Sequence, residues 1–395
     1  MLERRLIVET LLIPALLDHH WPLLRWAFET RDCRAVVLEE EGPGVEELGL
    51  RYMHNDLCYP FVLIAGQVLS ALRSGRYDLG HTSVLISQAA DGCRGSCLIR
   101  LLRPVLDREG YFQVKLRSLN ARGLEKSCAL PVTPVMVLRA AAAAFWGDAL
   151  MLLGNQTRPY EVSPGEADRL TEKWTALLSG DLRRNRSLTP WGILRRCREI
   201  AADFRAVPKE GRKTQKVAVV GELYTKYCGL GNWCLEEYLE RQGCEVGVNG
   251  LTWYALYYID THLGECPLPV RLAGKTLRAL ALDFQKRFVK ILRAEGFSTL
   301  PPYPEVKALA IPSGCALGCG WFLSAEAAAW VGEGHRKVLA AMPFGCLPGH
   351  IYARGIYARL QRELPGGLVV GVDYDASTRE GTVQNRIRML LDTEL

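Results

Sequence analysis

Two stretches of the chain alternate short β-rich runs with helical patterns, and this alternation constrains the fold more than any other feature. The N-terminal stretch contains the strand-like runs LIVETLLI, RAVVLEE, TSVLISQ and VKLRSL, with helical patterns such as HHWPLLRWAFETR and CLIRLLRPVLDREG between them. The C-terminal stretch contains the strand-like runs KVAVVGEL, CEVGV and GGLVVGVDYD and the helical patterns WCLEEYLERQG and LRALALDFQKRFVKILRAEG. Strands that alternate with helices are typical of parallel α/β sheets. The sequence therefore predicts two doubly wound α/β lobes.

A helical tract and a linker set the expected boundaries between these lobes. Helical spacing runs from about Pro134 to Phe204, and the lysine-rich, glycine-containing segment KEGRKTQK follows it. The predicted organisation is an N-terminal α/β lobe over 1–133, a helical connector over 134–210 and a C-terminal α/β lobe over 211–395. Within the last lobe, residues 224–232 are predicted to form a loop and residues 325–342 a single helix.

Charge and hydropathy exclude several classes of partner. The net charge is only +6 at pH 7 over 395 residues, without a polybasic run. We therefore expect neither a nucleic-acid nor a membrane-surface partner. Glu9 interrupts the apolar N-terminus, and Arg139 and Asp148 break the most apolar later window. A soluble, cytoplasmic protein is expected.

The chain has thirteen cysteines, and six of them lie in loops rich in glycine or proline. In a reducing compartment such thiols are metal ligands, catalytic groups or core residues rather than disulfides. The six are Cys58, before the helix-opening Pro60; Cys93 and Cys97, in DGCRGSC; Cys315 and Cys319, with the same C-x3-C spacing; and Cys346, in FGCLPG. Cys93 is expected where a strand ends and a helix begins, the edge at which α/β sheets bind ligands, whereas a core role for Cys97 stays open. Weaker candidates are Cys128, Cys228, Cys234 and Cys266, and packing roles are expected for Cys33, Cys197 and Cys244.

Iron–sulfur ligation explains scattered loop thiols better than zinc does. Structural zinc sites use closely spaced hooks, and no C-x2-C occurs here, whereas a fold can assemble cluster ligands from distant loops. No Walker motif and no G-x-S-x-G motif occurs, so nucleotide binding and hydrolase chemistry lack support. His54, Arg94 and His350 lie beside cysteine loops and are the candidate catalytic or cluster-contacting residues, with solvent-exposed or core roles as the alternative.

Six segments together resemble a known family. These are HNDLCYPFVLIAGQVLSALRSGRYD, ISQAADGCRGSCLIRLLRPVL, NQTRPYEVSPGEADRL, KVAVVGELYTKYCGLGN, MPFGCLPGHIYARGIYARL and VDYDASTREGTVQNRIRMLL. They look like the C-terminal module of proteins related to acyl-CoA dehydratase activases. That module is similar to 2-hydroxyacyl-CoA dehydratases, benzoyl-CoA reductases and double-cubane cluster proteins. The resemblance covers nearly the whole chain.

The resemblance implies two flavodoxin-like lobes with an iron–sulfur cluster between them, in a homodimer or heterodimer. Cys58, Cys93 and Cys346 match motif cysteines of the family, whereas Cys97 stands where relatives often have asparagine. A cubane (4Fe–4S) needs about four ligands and a double cubane (8Fe–9S) needs six, and the loop thiols here number six. The implied partner is an ATP-hydrolysing activase of the actin and sugar-kinase superfamily.

Two functions follow as hypotheses. The first is an iron–sulfur reductase component, dehydratase-like, that receives low-potential electrons from the activase and reduces a small substrate between the lobes. The second is a non-catalytic electron-relay or maturation subunit of a larger complex.

Overall fold

The computed structural model describes residues 8–89, 91–120, 125–211, 214–263, 268–310, 315, 317–364 and 366–395. The N-terminal lobe comprises β1 (Glu9–Ile13), α1 (Trp21–Phe28), β2 (Cys33–Val37), α2 (Pro43–Leu50), α3 (Tyr59–Arg73), β3 (Thr82–Ser87), α4 (Leu98–Arg108) and β4 (Lys115–Leu119). Three helices follow, namely α5 (Pro134–Asn155), α6 (Glu166–Arg183) and α7 (Pro190–Ala206).

The C-terminal lobe begins with β5 (Gln215–Gly221), α8 (Leu223–Tyr227), α9 (Gly229–Asn232), α10 (Leu235–Arg241), β6 (Cys244–Val248), α11 (Leu251–His262) and α12 (Leu268–Ala294). It continues with α13 (Tyr303–Ala308), α14 (Phe322–Gly332), β7 (Lys337–Pro343), α15 (Tyr357–Glu363), β8 (Leu368–Tyr374) and α16 (Glu380–Asp392).

Local sequence signals account for several helix ends. Pro60 lies in the first turn of α3, as expected from its fixed φ. Thr133 caps α5 by accepting the N–H of Met136, and Thr189 caps α7 in the same way. Gly243, after α10, has a φ of 78°, a conformation that stops a helix at little cost only when glycine occupies it.

Each lobe contains a four-stranded parallel sheet, which confirms the predicted α/β class. The strand orders are β2-β1-β3-β4 and β6-β5-β7-β8. In each sheet the second strand along the chain lies on one side of the first strand, and the third and fourth strands lie on its other side. The strand order therefore reverses between β1 and β3 and between β5 and β7. Ligands of open α/β sheets bind at the carboxyl ends of the strands at such switch points.

One large hydrophobic core runs from the first sheet through α5 and α7 into the second sheet. Helix α5 packs on α1 of one lobe and on α11 and β6 of the other. Its buried Asp148 accepts hydrogen bonds from His20 and from the N–H groups that begin α11. Residues 134–160 are long and apolar enough to cross a membrane, but half of their most apolar window is buried inside the protein. A helix packed into a protein core passes the same test of length and hydropathy, so this helix is weak evidence for a membrane span. A soluble, cytoplasmic protein stays a prediction.

Two predicted elements of the C-terminal lobe were wrong. The segment 325–342 is not one helix, because α14 ends at Gly332 and residues 337–343 form β7, a central strand buried along its whole length. The predicted loop over 224–232 holds the end of α8 and the short helix α9. A fully buried strand has no alternation of polar and apolar residues. In the sequence, the apolar run of β7 therefore looked like a continuation of the helical pattern of α14.

Candidate functional site

A cavity of about 290 Å³ lies between the two lobes, where the switch points of both sheets face each other. Its walls come from the segments that follow β1, β3, β5 and β7 and from the first turns of α3. The cavity is therefore built at the edges where both sheets are expected to bind ligands.

Three thiols from three separate loops line this cavity. Cys93 follows β3, Cys319 precedes α14, and Cys346 follows β7. The sulfur of Cys93 accepts the backbone N–H of Gly95 at 3.4 Å, and the backbone N–H groups of Leu223 and Gly349 partly offset the rise in the pKa values of Cys319 and Cys346, respectively. Hydrogen bonds of this kind stabilise sulfur that carries negative charge, including thiolates that ligate a metal or cluster.

Cys58 adds a fourth thiol beside these three. It immediately precedes α3, whose Pro60 and Phe61 line the cavity. Its side chain lies within electrostatic range of Cys93 and Cys346. The structure thus brings together Cys58, Cys93, Cys319 and Cys346, which are separated by as many as 288 positions in the sequence.

Burial disfavours the charged form of these thiols. Burial raises the pKa of Cys93 to about 11 and also raises the pKa values of Cys58, Cys319 and Cys346 well above the ordinary value of a thiol. The nearby carboxyl group of Glu222 adds to each of these increases. Binding of a metal or cluster would therefore displace thiol protons.

Two side chains that flank Cys93 tie the cysteine loops together across the lobe interface. Asp91 accepts the N–H of Cys93 at 2.7 Å and the N–H of Gly318, beside Cys319, at 2.8 Å. Arg94 donates to the carbonyl of Asp56 in the Cys58 loop at 2.9 Å and to that of Gly345, next to Cys346, at 2.6 Å. Asp91 and Arg94 together connect all four loops.

The donor set fits an iron–sulfur cluster in three respects. All the converging ligands are thiols, backbone N–H groups favour negative charge on the sulfurs of Cys93, Cys319 and Cys346, and a cavity separates these three. Across the described residues, no three His, Cys, Asp or Glu side chains converge closely enough to coordinate one metal ion. A cluster is wider than a single ion, so its ligands encircle a space instead of meeting at a point.

The other predicted thiols lie elsewhere. Cys97 is exposed immediately before α4 and does not line the cavity. Cys315 is buried outside the cavity lining and is hydrogen-bonded to the hydroxyl group of Tyr352. Cys128 packs at the edge of the N-terminal core, and Cys266 falls outside the described residues.

Cys228 and Cys234 lie near a second, open cavity of about 660 Å³. Cys228 is buried against Tyr224, whereas Cys234 is exposed and lines the cavity together with Asp18, His19 and several glutamates. Because carboxylates rather than thiols dominate this surface, it lacks the ligand set of the inter-lobe cavity.

The three non-cysteine candidates also occupy defined positions. His54 is exposed at the surface and accepts the N–H of Asp56. His350 lies between the carbonyl of Cys346, 3.0 Å from Nδ1, and the carboxylate of Asp373, 3.2 Å from Nε2, so it braces the Cys346 segment. Arg94 contacts backbone carbonyls of two loops, as described above, and does not line the cavity.

Sequence reasoning missed Glu222, Asp91 and Tyr258. Glu222 lines the cavity directly after β5, and Tyr258 donates to the carbonyl of Ala89 across the lobe interface at 2.8 Å. Glu222 could have been found as the first polar residue after a switch-point strand. Asp91 could have been found as an aspartate that caps its own turn two residues before a thiol.

Comparison with known proteins adds no assignment. No protein-family model matches the chain, and no curated protein matches it.

Proposed function

We propose that this protein is an iron–sulfur reductase component with two flavodoxin-like lobes, whose cluster is held between them by Cys58, Cys93, Cys319 and Cys346. The observation that carries this proposal is the convergence of cavity-lining thiols from three loops, beside backbone N–H groups that favour negative charge on each sulfur. Buried thiols that only fill a core need neither a cavity nor such donors.

A bound cluster supplies one-electron chemistry at low potential, and the protein supplies ligation, burial and hydrogen bonds. The N–H groups of Gly95, Leu223 and Gly349 stabilise negative charge on the ligating sulfurs. Asp91 and Arg94 hold the ligand loops in register across the two lobes. Four gathered thiols, with Cys97 exposed, favour a single cubane over a double cubane.

The electron donor in this proposal is a separate ATP-hydrolysing activase, and the substrate is a small molecule reduced in the inter-lobe cavity. A homodimer or heterodimer is proposed, without nucleic acid or membrane as partner. The size of the cavity supports a small substrate.

Anaerobic purification followed by iron, acid-labile sulfide and zinc analysis, with EPR of the reduced protein, tests the proposal. Iron and sulfide in about equal amounts with a cluster EPR signal are expected. A colourless chain without iron or sulfide would overturn the proposal, and zinc without visible absorption would indicate a structural zinc protein. A cluster without turnover in the presence of activase and ATP would indicate an electron-relay subunit.

A further inference from the structure

The chemistry of the cavity wall indicates which class of substrate it accepts. Most of the wall is apolar, with contributions from Ile13, Leu16, Phe61, Ile64 and Leu119. Gln88, which also lines it, is occupied within the protein, because it donates to the carbonyl of Ser96 and accepts the hydroxyl of Ser118. The other uncharged polar side chains of the wall are Ser87, Asn120 and three tyrosines, and none of them carries a positive charge.

Among the described residues of the wall, Glu222 alone has a carboxyl group, and its charge disfavours anions. Glu222 lines the cavity and accepts the N–H groups of Tyr224 at 2.9 Å and Thr225 at 3.1 Å, which fixes it at the start of α8. Among the described residues that line the cavity, no lysine, arginine or histidine occurs. An anion that entered would lose its hydration without gaining a cationic partner.

The cations nearest to the thiols are committed elsewhere. The guanidinium group of Arg94 donates to the carbonyls of Asp56 and Gly345. The ammonium group of Lys226 is buried in a pair with Glu326 at 2.9 Å. Neither side chain lines the cavity, and both have partners that would have to be lost before they could bind an anionic substrate.

Size restricts the substrate further. A cavity of about 290 Å³ is at the lower end of the range for small-molecule sites. If a cluster occupies part of this volume, the remaining space admits only a few non-hydrogen atoms.

From the charge, polarity and size of this wall, we infer that the inter-lobe cavity takes a small, uncharged molecule and excludes carboxylates and phosphates from the space beside Cys93, Cys319 and Cys346. That the bound molecule is a substrate rests on the proposed function. The selectivity for uncharged molecules depends only on the residues of the cavity wall. It predicts that a phosphate-bearing thioester does not place its charged groups here.

Alkylation of the cavity thiols in the metal-free, full-length chain tests this selectivity without any cluster. Iodoacetamide and iodoacetate have similar sizes and differ in charge, and peptide mass spectrometry reports the rate at each cysteine. At Cys93 and Cys346 we expect the rate ratio of the neutral to the anionic reagent to exceed the ratio for the same thiols in urea by about tenfold. Equal ratios in the folded and urea-treated chains would overturn the inference.

A matched pair of variants at the cavity rim sharpens the test. Leu16 is half-buried in the wall, so Leu16→Lys places a cation there and Leu16→Gln places a neutral polar group of similar size. The lysine variant should lose most of the selectivity, whereas the glutamine variant should retain it; the same loss in both variants would contradict the electrostatic explanation. Slow alkylation of the buried Cys197 and Cys244 reports that the chain is folded.

If those core thiols react readily, the iron-loaded chain is used instead, with methyl isocyanide and azide as the neutral and anionic probes of the cluster absorption at pH 7. A response to the isocyanide alone supports the inference, and a response to azide, with or without one to the isocyanide, overturns it. Absence of iron from the anaerobically purified protein would refute the proposed function and leave the alkylation result intact.

Discussion

Replacement of Arg94 by glutamine should loosen the cysteine loops, because one side chain holds two of them to the loop of Cys93. Its guanidinium group makes hydrogen bonds of 2.9 Å to the carbonyl of Asp56 and 2.6 Å to that of Gly345. Hydrogen bonds from a charged donor contribute about 1.5–3 kcal/mol each. Water competes for a half-exposed side chain, so the low end of that range applies and the combined loss should be about 2–3 kcal/mol.

Urea unfolding of the full chain measures this loss, and iron per chain after anaerobic purification measures its effect on the site. Arg94→Lys is a second informative variant, because an ammonium group lacks the fork that reaches both carbonyls. Arg100→Gln is the matched control: Arg100 lies on the next helix, is 73% exposed and makes one ion pair with Glu125. The control should change the free energy of unfolding by less than about 0.5 kcal/mol. If Arg94→Gln unfolds like the control and retains its iron, the proposed role of Arg94 in connecting the loops is wrong.

Three further predictions concern the framework around the site. Lys226→Met should lower the free energy of unfolding by about 3–5 kcal/mol, because it leaves Glu326 charged and buried; Lys226→Met with Glu326→Leu should recover most of that loss in urea unfolding, and no recovery would contradict the pairing. Gly221→Ala should lower the free energy of unfolding by about 1–3 kcal/mol or more, because Gly221 has a φ of 142° and an added Cβ would lie 1.9 Å from the carbonyl oxygen of Ala341. Wild-type stability in urea unfolding would refute this close approach of β5 and β7. Burial lowers the pKa of His335 to about 3 from its ordinary 6.5. As the pH falls, this histidine is therefore protonated at a higher pH in the unfolded chain than in the folded chain. As pH falls from 6.5 towards 3, stability should therefore decrease by about 1.4 kcal/mol per pH unit from this group, and His335→Asn should show a correspondingly shallower pH dependence of unfolding than the wild type.

The sequence contains enough local information to predict the parallel α/β architecture but not every strand in it. Strands with clear punctuation, such as β1 and β3, were recognised from their apolar runs and flanking glycines or polar residues. Strand β7 was missed because all seven of its residues are buried, and a buried apolar run resembles a helix segment in the sequence. Gly332, the last residue of α14, and Gly334, which has a φ of 92°, were the available signal that the helix had ended.

The site was predictable where it depends on single loops and unpredictable where it depends on tertiary contacts. Glycine and proline around Cys93 and Cys346 correctly indicated loop positions, and the strand before Cys93 was predicted, whereas the strand before Cys346 was not. The contact of Asp91 with Gly318 joins residues 227 positions apart, and no local pattern encodes it. From their C-x3-C spacing alone, Cys97 and Cys319 were equally good candidates for cluster ligands. In the fold, Cys97 is exposed and Cys319 is buried in the cavity wall.

Iron content of single-cysteine variants tests the central claim most directly. Cys319→Ser and Cys97→Ser change members of two equally spaced pairs, and only Cys319 lines the cavity. After anaerobic purification and reconstitution with iron and sulfide, we expect Cys97→Ser to retain the wild-type iron content and EPR signal and Cys319→Ser to lose most of both. Iron lost from Cys97→Ser but retained by Cys319→Ser would contradict the inter-lobe cavity as the cluster site.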